Sequence, residues 1–379
     1  MKTTLQLLVA LTVASAFAAP ALAACDLEAP DARAAGANCA QAWMDANLRL
    51  NDLQVIGTHN SYKLPTWPRL LAAHRERDPQ GADGIDYGHL PLRKQLERGV
   101  RALELDVYHD QEGGRYRHDS LPRDQRAALK RPGFKVMHLS DIDYRSSCQP
   151  FAECLQIVRD WSRAHPRHVP LLIQINAKDD PAAPGAVQPL RFDAAAFDAL
   201  DAEIRGVFPD EVLIVPDEVQ GDFPSLREAV LAGNWPRLGD ARGRVLFTLD
   251  ESTEKVALYR GRRRALEGRV LFVNADASSP AAAWLTRNEP VEQGESIAGA
   301  VAAGFLVRTR ADADTREARR NDTRRRDAAL AGGAQVVSTD YIEPDPRFGD
   351  YRVGLPGSAI ARCNPHRAAR RCGGLPIEE

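Results

Sequence analysis

Eight short apolar runs of β type, with helical or loop segments between them, constrain the fold of these 379 residues more than any other feature. They are LQVIG at 53–57, RALELDVY at 101–108, KVMHL at 135–139, PLLIQIN at 170–176, RVLFTL at 244–249, RVLFV at 269–273, FLVRT at 305–309 and QVVST at 335–339. Segments at 152–165, 193–208 and 315–333 carry helical spacing between several of them. Strands alternating with helices imply a parallel sheet, and eight such units predict an α/β protein built as a (β/α)8 TIM-type barrel. A ninth run, VLIV at 212–215, is assigned to a surface excursion between the fourth and fifth strands. The barrel is expected over 53–341, after an N-terminal segment at 24–52. Residues 342–379, rich in Pro, Gly and Arg, read as an irregular tail clipped by a disulfide.

The first 23 residues place Lys2 ahead of an apolar stretch from Leu5 to Ala19, then small residues around Ala21 and Ala23. That is the pattern of a secretory signal peptide and predicts an exported protein, periplasmic or secreted. Leu22 to Cys25 also resembles a lipoprotein cleavage site, but lipid on Cys25 would orphan one thiol of an even set. The six cysteines fall into local pairs, Cys25 with Cys39, Cys148 with Cys154 and Cys363 with Cys372, read as three disulfides. No Cys/His spacing suggests zinc. No later stretch reaches the roughly 18–20 apolar residues of a membrane span. With 44% hydrophobic residues the chain can bury a sizeable core, and 50 basic against 52 acidic residues argue against a nucleic-acid binder. A monomer is expected.

Side chains alternate along a strand, so Glu104 and Asp106 share one face of the second run while Leu103, Leu105 and Val107 share the other. In a barrel the apolar set meets the helices, and the carboxylates point at the axis near the carboxyl end, where active sites of this architecture sit. Acids are rarely buried there unpaired, and two like charges this close require a cation. The same parity puts Gln174, Asn176 and Lys178, then Arg308 and Arg310, then Ser338 and Asp340 at one mouth, with Asp250 near it. A planar guanidinium there suits a phosphate. His59 follows the first run and His138 closes the third, a ready base and acid pair. His74, His89, His109, His118, His165, His168 and His366 are read as structural.

GTHNSYK at 57–63, LELDVY at 103–108 and VMHLSD at 136–141, in this order, resemble the catalytic X region of phosphoinositide-specific phospholipases C. LVRTRADADT at 306–315 and VSTDY at 337–341, with the signal peptide, resemble its exported, calcium-dependent bacterial branch. The resemblance implies that His59 deprotonates an inositol hydroxyl and His138 protonates the departing glycerol oxygen. It implies calcium on Asn60, Glu104 and Asp106, and a phospholipid substrate met at a membrane surface. Where the animal enzymes place a glutamate, this chain has Asn176, which removes one negative charge and predicts weaker calcium affinity. The metal-independent branch instead puts an arginine beside the site, and Val107 and Tyr108, which follow Asp106, offer no such substitute. Arg308 aligns with a headgroup-contacting arginine, and Lys178 joins it as a substrate-binding candidate. Trp67 or Tyr62 is expected on the rim that meets the membrane. The nearest rival is a glycerophosphodiester phosphodiesterase, which more often shows His-Arg-Gly at the first strand. A secreted headgroup-binding protein without turnover is the other, and an intact histidine pair argues against it.

Overall fold

The structure, a computed structural model, describes Leu27 and residues 37–182, 186–369, 371–372 and 374–378. Its strands are β1 (Leu53–Thr58), β2 (Ala102–Tyr108), β3 (Lys135–Val136), β4 (Leu171–Ala177), β5 (Leu213–Ile214), β6 (Val245–Leu249), β7 (Leu271–Asn274), β8 (Ala282–Thr286), β9 (Leu306–Arg310), β10 (Val336–Thr339) and β11 (Ala361–Cys363). Among the described residues eight of them, β1, β2, β4, β6, β7, β8, β9 and β10, pair in parallel and close into a barrel. β1 and β2 are buried along their whole lengths, as strands must be when side chains fill the barrel on one face and helices cover the other.

The barrel closes at a narrow seam. β1 meets β2 at Gly57 opposite Ala102, where a Cβ on Gly57 would lie 2.8 Å from the Cβ of Ala102, so only glycine allows the approach. Below that point β11 takes the edge of β1 in antiparallel pairing, Leu53 opposite Cys363. The tail is therefore more than an irregular clip. Its Tyr351, Val353 and Leu355 pack with Ile56, Val337 and Tyr341 in a second buried cluster.

The sequence reading of eight strands holds in number and errs in membership. KVMHL does not enter the barrel: β3 has two residues, paired antiparallel to the end of β2, Val107 opposite Val136. Between β2 and β3 there is one seven-residue helix, Arg123–Leu129, too little for a parallel crossover. The eighth barrel strand is β8, whose alanine-rich sequence AAWLT lacks the β-branched signature. VLIV is also not a surface excursion, since Leu213 and Ile214 are buried and pair in parallel with the start of β6.

Local chemistry sets the covering helices. Phe151, Cys154, Leu155, Val158 and Trp161 recur at three- and four-residue spacing and form the buried face of the helix Phe151–Ala164. The helix Ala194–Val207 starts at Asp193, whose carboxylate accepts from the Ala196 amide, a cap worth about 1 kcal/mol. Disulfides join Cys148 to Cys154 and Cys363 to Cys372, and no cysteine among the described residues is free. Cys25, with its pairing to Cys39, and the signal peptide lie outside the described residues.

Candidate active site

Strand parity delivers Glu104 and Asp106 to the barrel interior as expected, 3% and 1% exposed. The register sets Glu104 opposite Gln174 and Asp106 opposite Asn176 on β4, and Asn176 Nδ2 donates to Glu104 Oε1 at 3.3 Å. Arg308, on β9, donates to Glu104 Oε2 at 2.6 Å, to Ser338 at 3.2 Å and to Asn288 at 2.7 Å. Lys178 Nζ stands 3.4 Å from Asp106 Oδ2. Arginines thus do lie beside the site, supplied by β9 rather than by the residues after Asp106.

His59 leaves the end of β1 with its Nδ1 2.8 Å from Asp340 Oδ1 and 3.0 Å from the Tyr87 hydroxyl. That hydroxyl accepts from Asn60 Nδ2 at 3.0 Å. With Nδ1–H committed to the carboxylate, Nε2 carries the lone pair and faces Glu104 Oε1 at 3.8 Å and Arg310 Nη1 at 3.5 Å. Asp340 is itself held: Arg310 Nη2 donates to it at 3.1 Å, and its backbone N–H donates to Asp312. Burial and the Arg310 charge push His59 down to about 3 against the pull of Asp340, so the ring is a free base at neutral pH. Burial alone would raise Asp340, but His59 and Arg310 hold it well below the carboxylate range.

His138 follows β3, and the antiparallel addition is what brings it in, because Met137 N–H donates to the Asp106 carbonyl at 3.3 Å. Its Nδ1 lies 2.8 Å from Asp143 Oδ2, which leaves Nε2 to exchange the proton, with the side chain 20% exposed. Asp143 is fully buried and accepts from Thr66 at 2.6 Å. Lys63, four residues beyond His59, stands 3.2 Å from the same carboxylate and ties the loops after β1 and β3 together.

The eight residues expected from sequence, His59, Asn60, Glu104, Asp106, His138, Asn176, Lys178 and Arg308, therefore converge on one mouth. Tyr87, Asp143 and Asp312 were not anticipated. Asp143 has a local signal, five residues after His138 in HLSDID, whereas Tyr87 has none. His89, read as structural, donates from Nε2 to the His59 carbonyl at 2.7 Å. Tyr62 is fully buried and cannot form a rim, and Trp67 is half-buried beneath the Arg145 guanidinium, 4.0 Å from its ring centre.

Among the described residues no three His, Cys, Asp or Glu side chains group closely enough to hold a metal. The donors available are of mixed type, two carboxylates and two amide oxygens, all hard, which suits calcium. Asp106 Oδ1 is buried with no hydrogen-bond partner, and Asn60 Oδ1 accepts only a 3.3 Å bond from Tyr62. A buried orphan carboxylate oxygen is costly unless a cation meets it. Burial, with Asp106 and Asp250 nearby, also lifts Glu104 to about 7 in spite of Arg308, the expected state of an acid waiting for further positive charge. The residues fit the ion.

A family profile for calcium-dependent phosphoinositide phospholipase C matches residues 48–365. Among solved structures, the chain is similar to a calcium-dependent phosphoinositol-specific phospholipase C from the Gram-negative Pseudomonas sp., at 16% identity and a TM-score of 0.51, covering 84% of this chain and 96% of that one. It is similar also to a calcium-dependent phosphatidylinositol-specific phospholipase C from Streptomyces antibioticus, at 21% identity and a TM-score of 0.50, covering 77% and 95%. No curated protein matches. The two structures support the barrel fold.

Proposed function

The chain belongs to the calcium-dependent phosphoinositide phospholipase C family, and from that premise we propose that His59 is the base and His138 the acid of a two-step phosphodiester cleavage. The observation that carries this reading is the matched wiring of the two rings, each held through Nδ1 by a buried carboxylate so that Nε2 is the nitrogen that exchanges the proton. His59 Nε2 takes the proton of an inositol hydroxyl as its oxygen attacks phosphorus. The bond to the glycerol oxygen breaks, and His138 gives that oxygen its proton. The products are diacylglycerol and a cyclic inositol phosphate. Water then opens the ring with the roles reversed, His138 as base and His59 as acid.

Asn60, Glu104, Asp106 and Asn176 would hold calcium, which when bound neutralises phosphoryl oxygens and lowers the pKa of the attacking hydroxyl. Asn176 contributes no charge, so affinity is weaker than a glutamate there would give. Arg308 and Lys178 are assigned to substrate oxygens, each as a positive charge beside the carboxylates. Export through the 1–23 signal peptide and action as a monomer at a lipid surface complete the reading. No helix among the described residues is long and apolar enough to cross a membrane. Exposed Val187, Leu190 and Val291, on loops after β4 and β8, offer apolar contact on the mouth side.

Product analysis by phosphorus NMR on phosphatidylinositol micelles, in calcium and then in chelator, tests the reading. A cyclic inositol phosphate that appears only with calcium is the expected result. Full activity in excess chelator would remove the ion from the mechanism, and cleavage of glycerophosphodiesters instead would change the substrate class.

A further inference from the structure

Lys63 is a fully buried cation at the mouth. Its side chain is 0% exposed, and Nζ donates to the Ile85 carbonyl at 2.9 Å and the Tyr87 carbonyl at 2.8 Å, with Asp143 Oδ1 at 3.2 Å. An ammonium is costly to bury, and carbonyls could have been satisfied by a neutral donor. The charge is aimed at one carboxylate, whose other oxygen holds His138 at 2.8 Å. We propose that Lys63 is a positioning residue for the general acid, acting through Asp143 to keep the His138 proton transferable.

The argument is electrostatic. A lone buried carboxylate on Nδ1 fixes the ring but also binds the imidazolium tightly, which makes it a poor acid. A second cation on the far oxygen offsets that field while leaving the hydrogen bond and ring orientation in place. Lys63 also keeps Asp143 ionised: burial would raise the carboxyl, but Lys63 and His138 hold it below the ordinary range. Thr66 saturates the same oxygen that Lys63 faces, so Asp143 has no freedom to turn away from the ring. The Tyr108 hydroxyl donates to the His138 carbonyl, and His118 bonds the Ser140 carbonyl and stacks on Tyr144, with Asp141 on the same loop.

This inference rests on His138 being the acid, and a leaving-group comparison separates the two claims. The probes are phosphatidylinositol, whose alkoxide needs a proton to depart, and inositol 4-nitrophenyl phosphate, whose phenolate does not. Lys63→Met should slow kcat on the lipid roughly 10- to 100-fold, part of what a general acid supplies, and leave the aryl substrate within about twofold. Lys63→Gln, which keeps a donor for the Ile85 and Tyr87 carbonyls, should show the same split and serves if the methionine variant does not fold. Lys63→Arg should recover part of the lipid rate. Equal losses on both substrates, or none on either, would overturn the role of Lys63. His138→Ala is the control: its failure to discriminate the two substrates would overturn the acid assignment itself, whatever Lys63 does.

Discussion

The two ends of the barrel both bury an arginine against a glutamate, and they use the pair differently. At the amino end Arg101 donates to both oxygens of Glu378 and to the carbonyls of Leu96 and Val100, and its guanidinium lies 4.7 Å from the Trp161 ring centre. Glu378 accepts in addition from the Val169 amide at 2.8 Å. Beside it His168 is neutral and satisfied, Nδ1 on the Val169 carbonyl and Nε2 on Ser162. At the carboxyl end Arg308 holds Glu104, yet Asp106 Oδ1 and Arg310 Nε are buried without partners. A saturated ion pair closes a structure, whereas an unsaturated one leaves valence for a ligand.

The contrast can be broken by substitution. His59→Ala should cost about 10²- to 10⁴-fold in turnover with the protein still folded, because the group lost is the general base. A variant with wild-type rate on every phosphodiester tried would end the assignment. At the other end Arg101→Met should destabilise by about 3–5 kcal/mol, since it strands the Glu378 carboxylate, and leave kcat intact where the protein is still folded. Urea titration measures the first and steady-state assay the second.

Acid should find the amino end through His168. Burial lowers this ring from 6.5 to about 4, so the fold favours its neutral form. The stability it contributes is full above pH 6.5 and is lost as pH falls toward 4, about 3 kcal/mol in all at about 1.4 per unit. His168→Gln should lessen the slope of the urea midpoint across that window, the remainder belonging to His59, which burial lowers to about 3; an unchanged slope would place the proton uptake elsewhere. The smallest effect sharpens the mouth. Asp106→Asn should raise the calcium needed for half-maximal rate roughly 10- to 100-fold with little change in melting temperature. A large drop in melting would mean the carboxylate is structural after all.

The inward placement of the polar side chains was legible further than the strand membership was. Alternation along β2 told which face Glu104 and Asp106 take, and the short motifs around His59 and His138 marked both rings as candidates, because both are properties of a few consecutive residues. Parity also put Arg308 at the mouth but could not say that it would grip Glu104, since that contact joins strands 204 residues apart in sequence.

What the chain by itself determined is the set of polar side chains turned inward and the α/β barrel class. Tertiary structure decided which runs form the barrel, because membership depends on finding a partner along both edges, and AAWLT finds two where KVMHL finds one. It decided too that Asp143 and Lys63 would stand behind His138 and Asp340 behind His59. Side chains from separate loops meet there only once the barrel has closed, and burial then makes each unpaired charge too costly to leave alone.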